Sequence, residues 1–179
     1  MMEKSDLKKI IHQIPPVWDS ESEVLILGTM PSPKSREARF FYMHPQNRFW
    51  KALPAIFGEP LLYTNNSPDR EAAISERRDF LLRHHIALWD VLASCEISGA
   101  ADSSIKNARP NDFDEILGHS KISRVFCTGK TAWSLWKKTC AEKYERYKLE
   151  VECLPSTSPA NAACSLEKLI EAYKVLTID

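Results

Sequence analysis

Four short apolar runs punctuate the chain: 23–28 (EVLILG), 86–91 (IALWDV), 123–128 (SRVFCT) and 149–154 (LEVECL). Each reads as a strand buried on both faces, and their continuous apolar character suits a parallel sheet. Helical spacing fills the intervals. Residues 47–57 place Phe49, Trp50, Leu53 and Phe57 on one stripe, with Pro54 as a bend. Residues 69–84 carry Ile74, Leu81 and Leu82 below a charged face, and 130–144 set Ala132, Leu135 and Trp136 on one side. Residues 111–118 start at Asn111 as an N-cap and end before Gly118, and 165–176 start at Ser165. Strands alternating with helices predict a three-layer α/β/α sandwich around a short, four-stranded, mainly parallel sheet, with residues 1–179 as a single domain. Ligands in such folds bind beyond the carboxyl ends of the strands. That rule directs attention to the loops after Gly28, Val91, Thr128 and Leu154.

Composition narrows the classes. The 179 residues are 44% hydrophobic and 27% charged, enough for one core. No run approaches the ~18 apolar residues of a membrane helix. The charged start, MMEKSDLKKI, lacks the apolar stretch of a signal peptide. The expectation is a soluble, cytoplasmic protein that makes no membrane contact. Formal net charge is zero, which argues against a bulk electrostatic binder of nucleic acid but leaves room for a local basic face. Cys95, Cys127, Cys140, Cys153 and Cys164 include no CxxC pair, so no metal site is expected. Cys127 and Cys153 sit in apolar runs, where cysteine is ordinarily a small buried hydrophobe.

The first loop is the densest in chemistry. Gly28-Thr29-Met30-Pro31-Ser32-Pro33 leads through Lys34–Arg39 to Phe40-Phe41-Tyr42-Met43-His44-Pro45-Gln46-Asn47-Arg48-Phe49-Trp50. A glycine leaving the strand allows close backbone approach, and aromatics alternating with polar groups suit stacking a planar ring and reading its edge. A long surface loop with inward-packed aromatics explains the same residues. The fourth loop, Leu154-Pro155-Ser156-Thr157-Ser158-Pro159-Ala160-Asn161-Ala162, is small, polar and proline-braced. Its hydroxyls equally suit helix capping. The stretch Ser94–Pro110 reads as a loop offering Lys106 and Arg109 to phosphates. Thr128-Gly129-Lys130-Thr131 resembles the end of a P-loop, but the glycine that motif needs upstream is Arg124.

Gly28-Thr29-Met30-Pro31-Ser32, His44-Pro45-Gln46-Asn47-Arg48-Phe49-Trp50 and Leu154-Pro155-Ser156-Thr157-Ser158 occur in that order. Together they resemble the uracil-DNA glycosylase superfamily, from about Val24 to the last helix. The His-Pro-x-Asn-Arg-Phe-Trp block is similar to that of the mismatch-specific uracil glycosylases. Its combination with Pro-Ser-Thr-Ser-Pro-Ala-Asn resembles the hypoxanthine-DNA glycosylase branch. The mismatch-specific enzymes carry Gly-x-Asn-Pro-Gly in the first loop, and its asparagine positions the attacking water. Here that place is Met30 and the final glycine is Ser32. The resemblance implies that Asn47 takes over. Some superfamily members hold an iron–sulfur cluster on four cysteines; the spacing here does not match, so no cofactor is inferred.

The implied reaction is hydrolysis of the bond between sugar and a deaminated base, most simply hypoxanthine, in DNA. Such a reaction needs a flipped base, a positioned water and dipoles aimed at developing charge. Asn47 suits the water, since an amide both donates and accepts. Gly28, Thr29, Met30 and Pro31 would shape the base pocket, with Tyr42 against the base. Telling hypoxanthine from adenine requires a donor to the new carbonyl; first-loop amides or Asn161 would supply it. Ser32, Ser156, Thr157 and Ser158 would meet phosphates, and Pro159 and Ala160 would fill the gap left by the base. His44 is either a group that neutralises the departing base or a fixed strut. No lysine is placed for Schiff-base attack, so a monofunctional, monomeric enzyme is expected. Two other readings remain: a uracil or thymine mismatch glycosylase, and a catalytically silent nucleic-acid-binding module on the same scaffold.

Overall fold

A computed structural model describes residues 7–177; the first six residues of the charged N-terminus and the last two residues lie outside it. The four apolar runs are strands: β2 (Val24–Gly28), β3 (Ile86–Asp90), β6 (Arg124–Thr128) and β7 (Glu150–Leu154). They form one sheet in the order β3-β2-β6-β7, every neighbour parallel, with Val24 opposite Ile86 and Arg124.

The period-two geometry of a strand sorts β2 between two cores. Val24 and Ile26 face one core, with Phe49, Trp50, Phe80 and Leu169; Leu25 and Leu27 face the other, with Phe113, Ile116, Ala132 and Trp136. The first core is closed by α2 (Phe49–Ile56), α3 (Arg70–Arg83) and α6 (Leu166–Tyr173); the second by α4 (Asp114–Gly118) and α5 (Lys130–Thr139). This is the expected layered α/β sandwich.

Several local expectations need correction. β7 lies at the sheet edge with Glu150, Glu152 and Cys153 exposed, so it is not buried on both faces, and Cys153 is not a core residue. Ser94–Pro110 is not a loop. β4 (Leu92–Ile97) and β5 (Lys106–Pro110) pair antiparallel, and β4 also pairs with β1 (Lys8–Ile11). Polar composition hid this hairpin: only Leu92, Cys95 and Ile97 of β4 are buried, and Lys106, Asn107 and Arg109 of β5 are exposed. Asn111 does not cap a helix. It is buried, and its Nδ2 donates to the carbonyls of Asp90 (3.0 Å) and Leu92 (3.1 Å), pinning the step from β3 to β4.

A short helix not anticipated from the sequence, α1 (Pro33–Ala38), follows the first loop. Pro33 suits its first turn and the Ser32 Oγ accepts from Ser35 N at 3.2 Å. The other edge of the sheet, at β3, is covered by the N-terminal strap. Val17 and Leu88 exchange backbone hydrogen bonds of 3.0 and 2.8 Å. None of the described helices is long and apolar enough to cross a membrane.

Candidate active site

The carboxyl ends of β2, β3 and β6 open onto a cavity of about 560 Å³. The loop after β7 closes it, and the β4–β5 turn forms a further wall through residues 99–103. Of the residues singled out from sequence, Gly28, Thr29, Met30, Pro31, Ser32, Tyr42, Asn47, Ser156, Thr157, Ser158, Ala160 and Asn161 line it. His44 and Pro159 are not among its lining residues. The His44 ring instead accepts from Gln46 N through Nδ1 at 3.1 Å, as a strut within its own turn.

Asn47 is held from two sides. Its Oδ1 accepts from Phe49 N (2.9 Å), which caps α2, and from the Thr157 hydroxyl (2.9 Å). With Oδ1 engaged twice, the amide's free capacity is the Nδ2 donor, which has no protein partner among the described residues. Thr157 is 1% exposed, and its hydroxyl is turned inward onto Asn47 rather than outward. The serines beside it brace the loop: Ser156 Oγ accepts from Ser158 N, and Ser158 Oγ from Ala160 N, both at 3.2 Å. Asn161 Nδ2 donates to Ser156 O at 2.9 Å.

Arg48 ties this loop to α2. Its guanidinium donates to the carbonyls of Thr157 (3.4 Å), Ser158 (2.9 Å), Asn161 (3.0 Å) and Cys164, and its own N–H reaches Thr157 O at 3.2 Å. The fixed fork of arginine matches such a cluster of carbonyls, which lysine does not.

Tyr42 stands at φ 55°, a left-handed backbone that costs a non-glycine residue energy and needs support. Asn65 supplies it, donating through Nδ2 to Tyr42 O (3.0 Å) and His44 O (2.7 Å). The Tyr42 ring stacks on Phe49, centroids 4.0 Å apart and 12° from parallel, so one face is occupied. The Thr128 hydroxyl donates to Leu27 O (3.3 Å), so the 2.8 Å contact between Tyr42 and Thr128 has Tyr42 as donor. Desolvation, and next the charge of Asp90, hold the Tyr42 phenol well above its ordinary pKa.

Two acids at the cavity escaped the sequence reading. Asp90 ends β3, and its Oδ2 lies 2.7 Å from His12 Nε2. A charged residue closing an otherwise apolar strand at its carboxyl end was a usable signal; His12, from the distant strap, offered none. Asp102 sits on the wall formed by the hairpin. Its surface is accessible, yet the protein around it desolvates the carboxyl and raises its pKa; the neighbouring Thr29 side chain opposes this and the charge of Asp90 adds to it. Among the described residues no three His, Cys, Asp or Glu side chains gather as metal ligands.

A parallel α/β sheet with a cavity at its carboxyl ends, lined by a fixed amide and an aromatic ring, is the arrangement in which layered α/β proteins place a ligand site. The uracil DNA glycosylase superfamily profile matches residues 15–177, and the chain belongs to that superfamily. It is 30% identical over 148 residues to a hypoxanthine DNA glycosylase of Methanosarcina acetivorans, covering 82% of this chain and 85% of that one. Against the hypoxanthine DNA glycosylase of Methanosarcina barkeri it is 37% identical over 99 residues, 55% of this chain and 58% of the relative. The solution structure of a candidate uracil DNA glycosylase from Methanosarcina acetivorans superposes with a TM-score of 0.72 at 26% identity, covering 94% of this chain and 99% of that one.

Proposed function

We propose that this chain is a monofunctional DNA glycosylase that hydrolyses the bond between deoxyribose and a deaminated base, hypoxanthine foremost, after the base has left the helix stack. The observation that carries the reading is Asn47, fixed through Oδ1 so that only its Nδ2 donor is free at a cavity with ample room for a purine. Donation from Nδ2 holds a water by one lone pair and leaves another for C1′. The water oxygen bonds to C1′ as the C1′–N9 bond breaks. The electron pair departs on the base, which takes up the proton that the water loses. The products are an abasic site and free base. Tyr42 offers the face not taken by Phe49 to the flipped ring. Met30 stands where mismatch-specific enzymes hold the water, which disfavours uracil as the main substrate.

No lysine lines the cavity among the described residues, so no Schiff base forms with the sugar and the strand stays intact until alkali is added. The test uses labelled duplexes with one hypoxanthine or one uracil, followed by alkali. Wild type cuts at hypoxanthine. Asn47→Ala and Asn47→Asp, which both remove the donor, lose about 10²–10³ in single-turnover rate. Faster cleavage at uracil would move the chain to the mismatch-specific enzymes; DNA binding with no cleavage would make it a silent binding module.

A further inference from the structure

Two buried side-chain polar atoms among the described residues have no hydrogen-bond partner, Arg77 Nε and Asn65 Oδ1. Both residues line a second cavity of about 630 Å³, formed by α2, the connection at 58–66 and α3. Asn47 lines this cavity as well as the first, and the other residues that carry the candidate active site do not. A cavity of this size holds a small molecule.

Arg77 is fully buried, yet no carboxylate pairs with it among the described residues. Its guanidinium meets neutral groups: the Trp50 ring, 5.0 Å from Cζ, the Met43 sulfur, and Tyr63 O at a long 3.4 Å. The neighbouring Glu76 is engaged elsewhere, accepting from Leu62 N (2.6 Å) and Tyr63 N (3.1 Å). Burial pulls the guanidinium down to about 10, and the charge of Glu76 opposes this. A cation kept out of water without an anion is unfavourable, and an anion from solution relieves it. Asn65 Oδ1 is left over because its Nδ2 donates to the carbonyls of Tyr42 and His44; the oxygen calls for a donor.

The rest of the lining sets the chemistry of the occupant. Trp50, Pro54, Ala55, Leu61 and Leu166 offer an apolar wall. Lys51, exposed on α2, adds a second positive charge. The acid in the lining, Glu59, is already paired with Arg83 and His84. Two cations beside a paired acid suit a doubly charged group, and the arginine fork matches phosphate oxygens.

We propose that this second cavity binds an organic phosphate monoester, its phosphate on Arg77 and Lys51, a hydroxyl or N–H of its body on Asn65 Oδ1, and that body against the apolar wall. The phosphate takes over the long contact of Arg77 with Tyr63 O. The site goes beyond the glycosylase reading and does not depend on it.

The test follows the guanidinium itself. In phosphate-free buffer, nitrogen-15 NMR reads the Arg77 Nε–H signal, assigned by its absence from Arg77→Met. Deoxyadenosine 5′-monophosphate is then added, with inorganic phosphate and deoxyadenosine as separate arms. The mononucleotide is expected to shift the signal to saturation and to raise the melting temperature, and deoxyadenosine to do neither. Arg77→Met, which deletes an unpaired buried charge, is expected to melt no lower than wild type without ligand and to bind about tenfold more weakly or worse. Ala55→Trp fills the cavity from the exposed side of α2, leaves Arg77 in place and is expected to lose binding too. A 5′-phosphorylated oligonucleotide that shifts Arg77, where its unphosphorylated form does not, makes a strand end the source of the ester; a response to the mononucleotide alone makes it a free small molecule. An Arg77 signal that neither the mononucleotide nor inorganic phosphate moves at millimolar concentration overturns the site. Binding that survives unchanged in both Arg77→Met and Ala55→Trp overturns it as well.

Discussion

Gly28 is the residue at which strand, cavity and acid meet. A methyl there would stand 2.4 Å from Asp90 Oδ1 and 3.0 Å from the Tyr42 hydroxyl. Neither neighbour can swing away freely, since Asp90 is tied to His12 and Tyr42 to Thr128. Gly28→Ala is expected to cost about 1–3 kcal/mol by overpacking. At about 2–4 °C per kcal/mol, calorimetry should show a lower melting temperature. Excision of hypoxanthine should fall more steeply than stability, because the displaced groups line the cavity. An unchanged melting temperature and rate would show that the acid and phenol accommodate the methyl.

At the level of elements, the site is held by one joint. Asn47 and Arg48, at the start of α2, grip the loop between β7 and α6 through the Thr157 hydroxyl and four backbone carbonyls. Lysine keeps the charge but not the fork, so Arg48→Lys should lose about 1–3 kcal/mol as partly buried carbonyls lose their donors. The loss should be local. Hydrogen exchange should quicken in 155–164 while the amides of β2 and β6 stay protected. Exchange rising equally in the central strands would mean the joint supports the whole fold. Both halves of this joint were visible as motifs, and Asn47 was picked out for the chemistry of its amide. That Thr157 faces Asn47 was hidden: 110 residues separate them, and a threonine in a polar loop carries no mark of the direction in which it turns.

Over the whole molecule, balanced charge leaves stability to particular pairs. Asp112 accepts from Asp114 N and lies beside Lys143; backbone hydrogen bonding first, then the lysine, hold its carboxyl at about 2. The folded value lies below the ordinary carboxylate value of about 3.9, so the folded state binds fewer protons. The stabilisation is therefore complete above about pH 4 and disappears as pH falls towards 2. Asp112→Ala should melt below wild type at neutral pH, and the gap should close in that acid window. A gap that persists at pH 2 would assign the effect to packing. At this scale the sequence by itself determined the central sheet, its layered helices and the end at which a site must lie. Continuous apolar runs and helical periodicity are local properties, and β2, β3 and β6 kept them. Only the tertiary structure decided the β4–β5 hairpin, whose polar strands bury few side chains, and the exposure of β7, which follows from its place at the sheet edge. It alone brought His12 of the strap onto Asp90 of β3, 78 residues away. A buried pair of that kind is made by packing two distant segments together, and neither segment announces its partner.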